Sequence, residues 1–376
     1  MNRVCVVDTA LVSAFGDGLP PLWSGLLAGR TAIAPLQRFA ADRYLSNQAA
    51  CVPGLKAQSG ESLLHPLLER LLVQLAPVPG DCRVLTASTK GGIDLLERRG
   101  RGEACPMEAV LPGTLPTLVA RRLGLADTGL NINAACASST LALARGAAWI
   151  AAGAAEAVLV VGIDLVSEFV FSGFSALQAL AKDVCRPFDV RRDGLSLGEG
   201  GAALLLMSEE RARREGRAAL GTIHGWGSAN DANHITAPAR DGCGLVLAIE
   251  AALAKAALTA EEIAAISAHG TGTVYNDAME LTAFARVFGA RPLPVHSLKG
   301  AVGHTLGAAG AIEAIFALEC LARQIMPPAV GLIEPEAAGR GRVSPEAQAI
   351  AGDYLLSTNS GFGGVNAALL LGRPSC

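Results

Sequence analysis

Alternating strand-like and helix-like runs, an apolar fraction made mostly of small aliphatic residues, and a repeated glycine-to-strand motif predict an α/β protein. Its sheets are expected to be covered by helices on both faces. Over 376 residues, 51% are apolar but only 4% are aromatic. An interior of Ala, Leu, Val and Ile suits helices packed closely on buried strands. The 43 glycines fit many sharp turns and close backbone approaches. The length exceeds one small domain and allows a large core.

Taken in order, residues 4–7 open as a strand and 21–28 as a short helix. Residues 84–86 read as a strand, followed by a helical run over 91–98. A strand over 131–135 leads into a helix over 138–152, and 157–162 is a continuous apolar strand. The echo lies between Gly198-Glu199-Gly200-Gly201-Ala202-Ala203-Leu204-Leu205-Leu206 and the segment from Gly361 to Leu371. Each is a glycine turn feeding an apolar strand, and such internal similarity points to duplicated halves. The same register sets Cys136 against Lys299, each ahead of a small-residue helix, the second expected over 305–323. The joint falls after Met207, giving halves at 1–207 and 208–376. The charged stretch 208–217 reads as a solvated helix with local ion pairs. Residues 327–345, rich in Pro, Gly and Glu, read as surface loop.

Bulk properties remove several function classes. A formal net charge of −3 does not suit a general nucleic-acid binder. Mean hydropathy is high at +0.38, yet no charge-free apolar run approaches the length of a membrane span. The first residues lack the apolar core and cleavage site of a signal peptide. Nine scattered cysteines, without a CxxC pair, argue against a disulfide framework and a structural zinc site. A reduced, cytoplasmic protein is the expectation.

Three short motifs carry the chemistry. Cys136 stands in Asn133-Ala134-Ala135-Cys136-Ala137-Ser138-Ser139, between a strand and an alanine-rich helix. At a helix N-terminus the free N–H groups and the dipole favour thiolate over thiol. Its own N–H would also suit an oxyanion. The competing reading is a cysteine packed beneath a helix. His269 stands in Ala268-His269-Gly270-Thr271-Gly272-Thr273, after the apolar run Ile263–Ser267. His304 stands in Lys299-Gly300-Ala301-Val302-Gly303-His304-Thr305. One nucleophile and two N–H donors suit thioester attack followed by enolate stabilisation. His65, His224 and His296 have no supporting pattern and read as structural; His234 reads as a loop residue.

These blocks, together with Asn359-Ser360-Gly361-Phe362-Gly363-Gly364-Val365-Asn366, resemble the elongating β-ketoacyl-[acyl carrier protein] synthases. Cys185-Arg186-Pro187-Phe188-Asp189 through Gly198-Glu199-Gly200, and the stretch from Asp231 to Pro238, resemble further blocks of that family. The likeness runs from about Val84 to Leu371, with the blocks in the family's order. It implies a thiolase-like duplicated fold in five αβαβα layers, usually dimeric. It implies that Cys136 takes the acyl group while His269 and His304 promote malonyl decarboxylation. Lys299 and Glu280 would be the supporting charged pair. Thr271 and Thr273 match positions that bind the pantetheine arm, Phe362 resembles a gate beside the cysteine, and Phe174 a residue near the malonyl site. Two histidines, rather than histidine plus asparagine, match the elongating class.

The partners implied are an acyl carrier protein bearing acyl or malonyl phosphopantetheine, and a second ketosynthase-like chain, identical or not. Arg121, Arg122, Arg191 and Arg192 are candidate carrier-docking residues. The resemblance implies no organic cofactor; a monovalent cation near Asn276 and Glu280 is its one ionic suggestion. Ser360 departs from the pattern, standing where a phenylalanine is usual, and a smaller residue there would widen the acyl channel. The region before Val84 is lean. Together these point to a specialised route, polyene or polyketide-like. The alternatives are a thiolase or initiating synthase, an idle or chain-length-determining partner subunit, and a cysteine hydrolase. A thiolase would need a second cysteine near 359–366, and Cys376 lies too far away.

Overall fold

Residues 157–164 are apolar at nearly every position, and all eight are buried, as a strand covered on both faces requires. This strand lies within a large sheet of the computed structural model, which describes residues 2–374; Cys376 lies outside the described residues. Ten strands set the architecture: β1 (Val4–Ser13), β2 (Arg83–Ala87), β3 (Leu130–Asn131), β4 (Ala157–Asp164), β5 (Gly200–Ser208), β6 (Gly221–Asn230), β7 (Ile263–Ser267), β8 (Val295–His296), β9 (Tyr354–Gly361) and β10 (Val365–Gly372).

The strand order is β8-β7-β9-β10-β6-β1-β5-β4-β2-β3. Its first five members repeat its last five about the β1–β6 contact. The series β1-β5-β4-β2-β3 has antiparallel, antiparallel, parallel and parallel pairings. The series β6-β10-β9-β7-β8 has the same four in the same order. β1 and β6 join the two sets antiparallel.

Seven helices complete the frame: α1 (Leu64–Leu72), α2 (Leu115–Leu123), α3 (Ser138–Ala151), α4 (Glu168–Ala176), α5 (Cys243–Ala256), α6 (Val274–Phe288) and α7 (Ala309–Arg323). α3 and α7 lie between the two sets of strands, α1 and α2 cover the outer face of one set, and α5 covers that of the other, with α6 against it. The result is five layers, αβαβα. One hydrophobic cluster fills the central layer and two others fill the outer interfaces.

The small residues of α3 and α7 let these helices touch. A Cβ on Gly310 would lie 1.9 Å from Thr140 Oγ1, so no side chain fits there. Next to it the Ala311 N–H donates to Ser139 Oγ at 2.9 Å.

Three expectations need correction. The strand expected over 131–135 stops at Asn131, because the chain turns sharply at Ala135, whose φ of 49° is left-handed. The helix expected from 305 starts at Ala309, after a tight turn over Leu306–Ala308. That turn, rather than Lys299, therefore stands at the place matching Cys136. The charged stretch forms only the short helix Glu209–Arg214, capped by Ser208. Its ion pairs are partly distant: Arg211 reaches Asp81 at 3.0 Å and Glu156 at 3.1 Å. Among the described residues no helix is long and apolar enough to cross a membrane.

Candidate active site

Cys136 follows the left-handed Ala135 and stands just ahead of α3. A non-glycine residue in that region stores backbone strain, as sharp turns before nucleophiles do. The turn carries the thiol toward His269, which follows β7, and His304, which precedes α7. One side-chain donor atom from each of the three lies within 4.8 Å of the others. All three residues are buried, and the imidazole rings meet edge to face with centroids 5.1 Å apart. The sequence therefore named three groups that the fold brings to one point.

Hydrogen bonding fixes the tautomer of each ring. Asn359 Nδ2 donates to Glu313 Oε2 at 2.7 Å, and its Oδ1 accepts from Thr140 Oγ1. That orientation points Nδ2 at His269 Nδ1, 3.2 Å away, so the His269 proton sits on Nε2. At His304 the Leu306 N–H donates to Nδ1 at 3.3 Å, which again places the proton on Nε2. Burial, followed by the charge of Lys299, holds both imidazoles well below their ordinary pKa. They are neutral N–H donors near neutral pH, as enolate stabilisation requires.

The thiol behaves differently from the sequence expectation of an acidic cysteine. Burial pushes it up to about 11, against the opposing pull of Lys299 and the Phe362 backbone N–H. Cys136 is therefore a neutral thiol at rest. The Phe362 backbone N–H lies against the sulfur. The chain can come so close only because residue 361 is glycine. A Cβ there would lie 2.9 Å from Ala134 O and 3.2 Å from Cys136 N.

The expected Lys299–Glu280 pair does not form. Lys299 Nζ instead binds Glu313 Oε1 at 2.6 Å and donates to the His269 carbonyl. Glu313 is the one charge in the buried stretch of α7, and it closes a chain through Asn359 back to His269. Glu280 accepts the N–H groups of His269 and Gly270 at 2.7 and 2.6 Å, and so shapes the loop that carries the histidine. Burial and the nearby Asp277 push its carboxyl up to about 8. Asn276 donates to Glu280 Oε2 at 2.9 Å.

A cavity of about 350 Å³ opens from this centre. Cys136, His269, His304, Thr271, Thr273, Phe174, Phe362 and Ser360 all line it. Lys299 and Glu280 stand behind the histidines instead. The Thr271 and Thr273 hydroxyls are 2.9 Å apart, and Asp277 accepts the Thr271 N–H at 3.0 Å. The Phe174 and Phe362 rings lie 5.6 Å apart. Ser360 Oγ donates to Asn366 Oδ1 at 2.7 Å, and Asn366 Nδ2 to Asp231 Oδ1 at 2.8 Å.

Sequence reading missed Glu313 as a site group and quoted Asn359 only within a motif. A lone carboxylate on the apolar face of α7 was the available signal. Among the candidate docking arginines, Arg192 is held inside by Glu336 and its side chain is only 7% exposed. Arg122 pairs with Glu69 and Arg191 with Asp189, and Arg121 lines a separate cavity. His296 is buried against Phe316, and His224 packs edge-on to Tyr354.

Known proteins resemble this chain in sequence and fold. Residues 80–212 match the family described as beta-ketoacyl synthase, N-terminal domain, and residues 220–332 match its C-terminal domain. The 3-oxoacyl-[acyl-carrier-protein] synthase 2 of Vibrio cholerae is 29% identical, over 99% of both chains. That of Vibrio harveyi is 30% identical over 98% of both. A solved structure described as the ishigamide ketosynthase/chain length factor superposes with a TM-score of 0.92 at 30% identity, covering 100% of both chains. A beta-ketoacyl synthase from Burkholderia phymatum superposes at 0.91 with 29% identity, again over both whole chains. With both family models matched over more than half its length and a relative 30% identical along nearly all of it, this chain is a member of the beta-ketoacyl synthase family.

Proposed function

We propose that Cys136 is the acyl-accepting nucleophile of a decarboxylative Claisen condensation, with His269 and His304 as the enolate-stabilising pair. The supporting observation is the meeting of one thiol and two neutral Nε2–H imidazoles at the floor of a single cavity. The enzyme is an acyltransferase that joins an acyl thioester to malonyl-acyl carrier protein and releases a β-ketoacyl-acyl carrier protein, in fatty acid or polyketide-type biosynthesis.

The first step is thioester exchange. Cys136 sulfur attacks the acyl carbonyl, whose oxygen is held by the Cys136 and Phe362 N–H groups. The carrier's sulfur leaves and takes the thiol proton. A malonyl thioester then enters with its carbonyl oxygen against the two imidazole N–H groups. Its carboxylate carbon–carbon bond breaks, carbon dioxide departs, and the electron pair becomes an enolate. The enolate carbon attacks the Cys136 thioester, and Cys136 leaves as the thiolate and takes one proton from solvent. Lys299 and Glu280 position the histidines from behind. Thr271 and Thr273 hold the pantetheine arm, while Phe174, Phe362 and Ser360 bound the acyl and malonyl space.

We assign the two structural halves to residues 1–207 and 208–376, each supplying part of the site, and place the protein in the cytoplasm. All eight described cysteines are unpaired, as in a reducing compartment. An acidic carrier would find Arg121, Arg122 and Arg191 exposed. The dimeric partner is a second ketosynthase-like chain, identical or of the chain-length type.

Intact mass after incubation with acyl-carrier proteins of several lengths tests the assignment. The wild type should gain the acyl mass and Cys136→Ala should not. No adduct from any donor, with or without a candidate partner chain, would overturn it in favour of an idle partner subunit.

A further inference from the structure

The carboxyl of Asp164 ends β4 beside the catalytic centre yet lines no part of the cavity, and the reaction steps above leave it without a task. It is 1% exposed. Only donors surround it. Oδ1 accepts from Ser88 Oγ at 2.8 Å and from the Thr89 N–H at 3.0 Å. Oδ2 accepts from Thr89 Oγ1 at 2.9 Å and from the Gly307 N–H at 2.7 Å. Ser88 and Thr89 follow β2, whereas Gly307 belongs to the turn between His304 and α7. Asp164 therefore ties the strands on the cysteine side to the turn that carries His304.

That turn needs a tie. Leu306 adopts φ 54°, a left-handed conformation that branched residues hold only when their surroundings impose it. Its N–H is the group that donates to His304 Nδ1. The His304 backbone is fixed independently, since its N–H donates to Ser196 O at 2.7 Å and its carbonyl accepts from the Gly198 N–H at 3.0 Å. So the backbone position of His304 does not depend on Asp164, but the orientation and tautomer of its ring depend on the 306–307 turn. The fit is close: a Cβ on Gly307 would lie 2.8 Å from Asp164 Oδ2 and 3.0 Å from Thr89 Cγ2.

We propose that Asp164 is a positioning residue for His304: through the Gly307 N–H it holds the Leu306 turn, and that turn keeps the His304 proton on Nε2, aimed for malonyl decarboxylation. His269 lies outside this control, because its tautomer is set by Asn359 and Glu313. The catalytic consequence rests on the condensing reading above; the tautomer control does not.

The test compares wild type, Asp164→Asn and Gly307→Ala. Asparagine turns an N–H₂ toward one of the donors that the carboxylate accepts. The Gly307 methyl displaces the same contact without changing charge. Imidazole nitrogen-15 spectra of histidine-labelled protein should show the His304 signals leaving the Nε2–H pattern in both variants, with those of His269 unchanged. Acyl loading of Cys136, read by intact mass, should stay within about twofold. Malonyl decarboxylation should fall by about 100-fold, the scale of a misplaced catalytic group. Unchanged His304 signals in a folded variant would overturn the proposal, as would an equal fall in loading and decarboxylation. If Asp164→Asn does not fold, Gly307→Ala carries both readouts. A wild type that never condenses would sink the condensing reading, and the spectra would still decide the role of Asp164.

Discussion

At Cys136 two influences oppose each other. The start of α3 and the nearby Lys299 favour the thiolate, while burial favours the thiol and prevails, at about 11. A neutral thiol in a buried site resists stray oxidation. Ser360 presents a second contest at this scale. Its hydroxyl is committed to Asn366, so this small side chain leaves room beside Phe362. Ser360→Phe should fill that space. The range of acyl lengths loaded onto Cys136 should narrow toward short chains, as intact mass across a carrier series would reveal; an unchanged range would place the acyl channel elsewhere. The cysteine and both histidines were legible as motifs because each sits in a short run of Gly, Thr, Ala or Asn between a strand and a helix. Glu313 was not, since its partner Lys299 lies on another element and the pair is made by packing alone.

The element that shapes the surroundings of Cys136 is the turn from Asn133 to Ala137, pressed against the glycine turn that links β9 to β10. The strand expected over 131–135 stops at Asn131, and periodicity carries no information about a left-handed residue at Ala135. Contact with Gly361 decides it. Gly361→Ala places a methyl 2.9 Å from Ala134 O and 3.2 Å from Cys136 N. Acyl loading should fall at least tenfold, on the order of one lost oxyanion donor or more. The change is local, so the thermal midpoint should move by only a few degrees, on the order of 1 kcal/mol of stability. Equal rates of loading in the variant and the wild type would show that the Phe362 and Cys136 N–H groups do not form the oxyanion hole. The central helices make a related point. Their alanines and glycines were visible in the sequence, but the touching of α3 and α7 at Gly310 and Thr140 follows only from the layers.

Over the whole molecule, buried titratable groups couple folding to pH. Burial holds His269, His304 and His296 below their ordinary range. Their contribution to stability is therefore complete about one pH unit above 6.5, the value in an unfolded chain, and is lost as pH falls. Glu280 acts in the other direction. With its carboxyl raised to about 8, the fold retains a proton that the unfolded chain gives up. The stability it adds is present at low pH and disappears as pH rises through 8. Between about pH 7.5 and 8.5 the histidines are almost fully neutral in both states, so the urea midpoint should decline with rising pH. In Glu280→Gln that decline should flatten. An identical slope in the variant would assign the alkaline loss to other groups.

The sequence by itself determined the α/β class, the internal repeat and which cysteine and two histidines meet at one point. These follow from local composition, from strand and helix periodicity, and from short motifs that lie within one turn of chain. Tertiary structure alone decided the Lys299–Glu313 pair, the Nε2–H tautomers, the neutral thiol and the bridge from Asp164 to Gly307. Each depends on burial or on a hydrogen bond between groups tens to hundreds of residues apart, such as Thr140 with Asn359. A one-dimensional pattern shows which residues can ionise or donate. Only the packed layers set their distances and exclude the water that would otherwise solvate them.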